Sequence, residues 1–254
     1  ADSLDSVPNL QWVQSTWAGV KPLIAHPRRD YQLTGVKGIF GQAMSEYVLG
    51  WLLGLERNVI ARADERHWNP QVERGVGGRR LGILGTGSIS RDVAAACASL
   101  KLDVTGLNSD GRDVPGFRAC YSLADRLQFA DGLDVLVALL PDTDSTDSLV
   151  DAALLRRLNP EAIFINVGRA NSVVDEDLLA ALASGRLRAA VLDVTREEPL
   201  PEAHPFWSVE NLFLTSHTAA PSTPEAVVAV FLENYRRYTA GEPLLHQVDF
   251  DRGY

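Results

Sequence analysis

The sequence predicts an α/β chain whose larger part is a doubly wound parallel sheet with helices on both faces. Short apolar segments alternate with amphipathic ones between residues 81 and 215, the order that builds βαβ units. The apolar segments also lack a polar face: residues 133–140 read LDVLVALL, as a strand covered on both sides requires. The chain has 254 residues, 46% apolar and 22% charged, which excludes intrinsic disorder and collagen or coiled-coil arrays and leaves room for two modest domains or one large one.

Taken in order, strands are expected at 10–15 and 36–40. From Gln42 to about His67, Met44, Tyr47, Val48, Trp51, Leu52, Leu55, Val59 and Ile60 fall on one helical face, so a long amphipathic helix is expected there. Residues 69–80 are rich in Pro, Gly and Arg and read as a joint between domains. Beyond it, strands are expected at 81–84, 103–107, 133–140, 162–167, 189–194 and 212–215, and helices at 89–100, 122–129, 152–158 and 175–184. A last helix should open at Ser222, with Glu225 at capping-box spacing, and stop near Gly241 with Pro243 beyond. Its stripe of Val228, Phe231, Leu232, Tyr235 and Tyr238 should pack on whatever the first long helix packs on. Residues 1–71 thus form a first lobe with its linking helix, 72–220 a sheet domain, and 221–254 a return to the first lobe.

Lys plus Arg number 24 and Asp plus Glu 33, a net charge of −9 that repels phosphate backbones and argues against nucleic-acid partners. The two cysteines, Cys97 and Cys120, give neither a disulfide scaffold nor metal-ligand spacing, so no metal is expected and a reducing compartment fits. The most apolar stretches, 47–55 and 133–140, are far shorter than the roughly 18 residues of a membrane span. The first residues lack the pattern of a signal peptide. A cytoplasmic protein without a membrane partner is expected.

Directly after the 81–84 strand comes Gly85-Thr86-Gly87-Ser88-Ile89-Ser90, and then a helical run. Gly85 allows a tight turn, Gly87 lets backbone approach a pyrophosphate, and the N–H groups at Ser88 and Ile89 face the anion. Ser90 replaces the third glycine of such loops, and an ordinary tight turn is the plain alternative. The strand-to-helix setting favours a Rossmann-type dinucleotide site. At the end of the next strand, where NAD-binding chains place an acid for the ribose hydroxyls, stand Asn108, Ser109, Asp110, Gly111 and Arg112. An amide and a hydroxyl do not repel a 2′-phosphate, and Arg112 either reaches it or is a solvated surface side chain. The balance favours NADP over NAD.

Three polar residues follow expected strands at the edge where ligands of open α/β sheets bind: Arg169, Glu198 and His217. Alone, each has a plain explanation as a surface charge or a satisfied histidine. Together with Gln14-Ser15-Thr16-Trp17-Ala18-Gly19-Val20, the 82–87 glycine segment, Asn166-Val167-Gly168-Arg169, Leu192-Asp193-Val194, Glu198-Pro199-Leu200-Pro201 and Ser216-His217-Thr218-Ala219-Ala220, they form an ordered set. From about residue 9 to residue 241 the chain resembles the D-isomer-specific 2-hydroxyacid dehydrogenases, especially their glyoxylate and hydroxypyruvate reductase branch.

The resemblance implies reduction of a small 2-keto acid to the D-2-hydroxy acid by NAD(P)H. It places the family's catalytic Arg, Glu and His on Arg169, Glu198 and His217. His217 as imidazolium would donate the proton, Glu198 would favour that charged form and fix the tautomer, and Arg169 would grip the substrate in a fork. Backbone N–H groups of Ala18, Gly19 and Val20 would cradle the carboxylate, with Trp17 as an apolar wall. Asp193 would face the nicotinamide carboxamide, while Leu140, Pro141, Thr146 and Val167 would line the cofactor cleft. A homodimer is implied too, although one lobe packing on another explains the stripe of the 42–67 helix equally well.

The likeness further implies a flavodoxin-like substrate domain into which the sheet domain is inserted. Its usual upstream strands and helices are absent before Leu10, so that domain is expected to be incomplete, most simply because the sequence lacks its natural beginning. Lys21 stands where the family commonly has an acid. A rival from another class is a dehydrogenase-like binding protein that senses a nicotinamide cofactor; retention of Arg169, Glu198 and His217 together argues against it.

Overall fold

Strands with apolar side chains on both faces are stable only between two layers of helices, and the 135–138 segment displays the arrangement. The computed structural model describes residues 3–17, 19–251 and 253. In it, β6 (Val135–Ala138) sends Leu136 and Ala138 into one core and Val135 and Val137 into the other, the period of two that a pleated strand imposes.

By contacts the chain falls into two units, Ala1–Phe40 with Pro221–Tyr254, and Gly41–Ala220. The second holds a seven-stranded, all-parallel sheet of order β5-β4-β3-β6-β7-β8-β9. Its other strands are β3 (Arg80–Leu84), β4 (Asp103–Asn108), β5 (Cys120–Ser122), β7 (Ala162–Asn166), β8 (Leu187–Leu192) and β9 (Leu212–Leu214). One face is covered by α4 (Arg126–Ala130), α5 (Ala152–Leu155) and α6 (Asp175–Ala183), through Phe129, Leu154, Leu155, Leu178 and Leu182. The other is covered by α2 (Gly41–Glu56), through Met44, Val48 and Leu52, and α3 (Ser88–Ser99), through Val93, Ala94 and Cys97. Burial pushes the Cys97 thiol up to about 12.

The first unit has a two-stranded parallel sheet, β1 (Trp12–Gln14) and β2 (Gln32–Thr34), the short helix α1 (Lys21–Ile24), and α7 (Pro224–Ala240). Buried Asn234 of α7 donates to Gln14 Oε1 at 3.0 Å and to the Leu245 carbonyl at 3.1 Å, and accepts from the Leu245 N–H at 2.8 Å.

Several expectations need correction. The first long helix ends at Glu56 and not near His67. Asn58 takes a left-handed φ of 50°, its N–H bonds the Leu55 carbonyl at 3.1 Å and the Val59 N–H bonds Gly54 at 2.8 Å, a Schellman stop. The second strand lies at 32–34 and not at 36–40, where Gly38 at φ 84° interrupts the extended run. The first division of the chain falls after Phe40 and not near residue 71, because α2 buries its stripe against α3 and the sheet. The N-cap of α7 is Thr223, whose hydroxyl accepts from Ala226 N–H at 3.3 Å, and not Ser222. The α7 stripe is exposed: Trp12 stacks on Phe231 and Tyr238, but a two-stranded sheet is too small to cover a helix of 17 residues, and Val228, Leu232 and Tyr235 are each more than half exposed.

At the N-terminal ends of β3 and β8 sits Glu56, whose side chain is wholly buried. Arg188 Nη2 donates to its Oε1 at 2.7 Å. Arg79 Nη2 lies 2.9 Å from its Oε2, a contact without hydrogen-bond alignment. Removing one partner of a buried charge set leaves the others uncompensated. We therefore expect Glu56→Ala to lower unfolding stability by about 3 kcal/mol in urea titrations; a change below about 1 kcal/mol, the range of exposed pairs, would contradict this role.

Candidate active site

The order of the large sheet reverses between β3 and β6, so their C-terminal loops diverge and leave a crevice. The loop after β3 turns at Gly85, whose φ is 94° and where a Cβ would meet the Leu139 carbonyl oxygen at 2.7 Å. Gly168, after β7, is crowded likewise: a Cβ there would lie 2.7 Å from Leu140 N. Nothing comes within 4 Å of a Cβ built at Gly87, so packing does not demand that glycine. Gly87 is also the N-cap of α3 and brings no side chain to the N–H groups of the first turn, which Ser88 and Ile89 begin. Open backbone, unpaired donors and a positive dipole end fit the pyrophosphate of a dinucleotide.

After β4, the Asn108 side chain is buried and spent on its own loop and on the glycine loop. It donates to the Arg112 carbonyl at 2.9 Å and to Thr86 Oγ1 at 3.3 Å, and accepts from the Gly111 N–H at 2.6 Å. The turn therefore folds back, leaving Ser109, Asp110 and Arg112 exposed, with Arg112 Nη1 donating to Asp110 at 2.8 Å. After β6, Leu140 and Thr146 are buried, Pro141 is exposed, and Thr146 Oγ1 donates to the Pro141 carbonyl at 2.7 Å. Val167 is buried at the end of β7.

Arg169, Glu198 and His217 leave three adjacent strands in register, Asn166 opposite Leu192 and Leu192 opposite Leu214. Asn166 shapes the first loop by accepting from the Gly168 N–H at 3.1 Å and donating to the Arg169 carbonyl at 3.3 Å. Arg169 itself is half-buried, and its Nη1 donates to the Gly168 carbonyl at 2.7 Å. The two carboxylate oxygens of Glu198 face different partners. Oε1 accepts from the Thr195 N–H at 3.1 Å, and Oε2 lies 2.9 Å from His217 Nδ1. With Nδ1–H given to the carboxylate, Nε2 is the atom free for other chemistry.

The segment bearing His217 is held by Asp193, which is buried just past β8. Its carboxylate accepts from Thr215 Oγ1 at 2.5 Å, Thr218 N–H at 2.8 Å and Ala219 N–H at 3.0 Å. Its carbonyl accepts from His217 N–H at 2.8 Å. His217 sits at φ 56°, a left-handed conformation that costs a residue with a Cβ roughly 1–2 kcal/mol. The sequence offered no signal for this anchoring by Asp193, which depends on a turn whose shape no spacing encodes.

The Trp17, Gly19 and Val20 positions lie in the first unit; Ala18 lies outside the described residues. Trp17 is largely exposed, with its N–H bonded to Ser15 Oγ at 3.1 Å. Val20 is buried, and its carbonyl accepts from Leu23 and Ile24 as the start of α1. Among the described residues no group of three or more His, Cys, Asp or Glu could hold a metal ion, and no helix is long and apolar enough to cross a membrane.

Residues 49–219 match the family model described as "D-isomer specific 2-hydroxyacid dehydrogenase, NAD binding domain". The chain belongs to that family. Within it, the glyoxylate/hydroxypyruvate reductase A of Klebsiella pneumoniae subsp. pneumoniae is 33% identical over 84% of this chain and 70% of its own length. A D-isomer specific 2-hydroxyacid dehydrogenase family protein from Aeromonas salmonicida superposes with a TM-score of 0.90 at 42% identity, over 98% of this chain and 81% of that one. The NADPH-dependent glyoxylate/hydroxypyruvate reductase of Sinorhizobium meliloti, solved with NADP and sulfate, gives 0.92 at 32% identity, over 100% and 84%. The chain is thus an NAD(P)-dependent dehydrogenase that acts as a 2-keto acid reductase, in the glyoxylate/hydroxypyruvate reductase branch.

For this dehydrogenase the crowding at Gly85 has a direct consequence. Gly85→Ala must displace the Leu139 backbone and strain the turn, so we expect NADPH binding, followed by quenching of protein fluorescence, to weaken at least tenfold. Unchanged affinity would remove the loop from the cofactor site.

Proposed function

We propose that the enzyme reduces glyoxylate, hydroxypyruvate or a similarly small 2-keto acid to the D-2-hydroxy acid, with His217 as proton donor. The observation that carries this reading is the 2.9 Å contact between His217 Nδ1 and Glu198 Oε2. When bound, the dihydronicotinamide supplies the hydride that the carbonyl carbon accepts.

Negative charge then grows on the ketone oxygen, and a proton delivered from His217 Nε2 neutralises it. Glu198 holds the ring by its other nitrogen and compensates the imidazolium charge before transfer. Thr195 in turn holds Glu198, so the acid is oriented from both sides. Arg169 offers a planar pair of donors for the substrate carboxylate and ketone oxygen, combining orientation with charge stabilisation.

The residues that would hold the cofactor are Gly85 to Ile89 for the pyrophosphate and Ser109 with Arg112 for a 2′-phosphate. NADP is the preferred coenzyme on this reading, because Asn108 replaces the ribose-binding acid and the loop exposes a guanidinium. The S. meliloti relative bound to NADP supports the same preference. Two free cysteines, one of them buried, suit a reducing cytoplasm. We place the active enzyme as a homodimer by likeness to its family.

His217→Ala should leave NADPH binding intact and cut the reduction of glyoxylate and hydroxypyruvate by roughly 10²–10⁴, the span of general acid catalysis. The loss is read by NADPH absorbance. Turnover by His217→Ala at the wild-type rate would refute the assignment.

A further inference from the structure

Tyr47, on α2, was legible in the sequence only as part of an apolar stripe, yet its hydroxyl is not idle. It lies 2.7 Å from Thr215 Oγ1. Thr215 has one hydroxyl proton, and Asp193 Oδ1, 2.5 Å away, is an acceptor-only carboxylate oxygen. The Thr215 proton therefore goes to Asp193, and the Tyr47 O–H must donate to Thr215. The chain of donors has one direction, from Tyr47 through Thr215 to Asp193.

Asp193 is the group on which the His217 turn hangs, through the N–H groups of His217, Thr218 and Ala219. The turn carries a left-handed residue, so it persists only while its surroundings over-determine it. Packing holds Tyr47 in place. Its ring lies 6.4 Å from that of Trp51, which in turn tilts against Phe213 of β9 at 5.2 Å. Burial pushes the Tyr47 phenol up, although the Thr215 bond works the other way, so the hydroxyl stays a donor at neutral pH.

We propose that Tyr47 is a positioning residue: by donating to Thr215 it fixes the Asp193 carboxylate and the turn that presents His217. The proposal rests on the reading of His217 as proton donor.

The test is Tyr47→Phe, which keeps the ring and removes the donor, beside Thr215→Val, the double variant and His217→Ala. Loss of this one partly buried hydrogen bond should lower kcat for glyoxylate or hydroxypyruvate roughly three- to tenfold, with KM and NADPH affinity unchanged. Thr215→Val should do at least as much, and the double variant no more than Thr215→Val alone, because both act through one contact. Amide exchange by mass spectrometry should quicken in the 215–219 segment of Tyr47→Phe and nowhere else.

Wild-type kcat with wild-type exchange in Tyr47→Phe would overturn the proposal. So would additive losses in the double variant, or faster exchange spread over the whole sheet. An inactive His217→Ala beside an unaffected Tyr47→Phe refutes only the positioning role. His217→Ala turning over at the wild-type rate refutes the proton-donor reading itself.

Discussion

A parallel sheet delivers all its strand ends to one edge, and that constraint underlies every feature of the site in the larger unit. β7, β8 and β9 run in register, so the loops that follow them start side by side. Each then needs only a short path to carry Arg169, Glu198 and His217. The crevice between β3 and β6 lies in the same sheet and opens at the same edge. The glycine loop and the His217–Glu198 pair thus open at one edge because of chain direction, before any individual side chain is chosen.

Two buried carboxylates show how one sheet separates stability from chemistry. Glu56 sits at the N-terminal ends of β3 and β8 beside two guanidinium groups, one hydrogen-bonded and one in charge contact alone, and their charge offsets the cost of its burial. Asp193, at the C-terminal end, has no cationic partner among its hydrogen bonds; it is met by a hydroxyl and backbone N–H groups. The first ties helix to sheet. The second shapes a turn that would not hold by itself, since His217 occupies a left-handed conformation within it. Backbone strain at a residue assigned to catalysis, offset by a buried anchor, is a frequent arrangement in enzymes.

Much of this was legible in the sequence where the physics is periodic or local. Alternation of apolar and amphipathic segments located six of the seven strands of the large sheet, and the glycine loop was readable because a tight turn and a bare helix start need those residues. The seventh strand, β5, has three residues, too few for any period to register. The helix stop at Asn58 escaped notice because a polar residue can take the left-handed role usually given to glycine. Family likeness singled out Asp193 as facing the nicotinamide carboxamide, but its partners within the chain were not legible, since they come from a turn more than 20 residues away in sequence. Tyr47 was invisible for a similar reason: a tyrosine in an apolar stripe looks the same whether or not its hydroxyl has a partner. The misplaced first boundary came from reading a loop rich in Pro and Gly as a joint, when burial of α2 against α3 decides the matter.

On the proposed chemistry, His217 Nε2 faces the oxygen that gains charge. A crystal structure of the enzyme with NADP and a non-reducible 2-keto acid analogue such as oxamate tests it most directly. The analogue's carbonyl oxygen should lie within about 2.6–3.2 Å of His217 Nε2, with Nδ1 still on Glu198. An analogue bound beside the nicotinamide with that oxygen on another group, and His217 turned away, would contradict it.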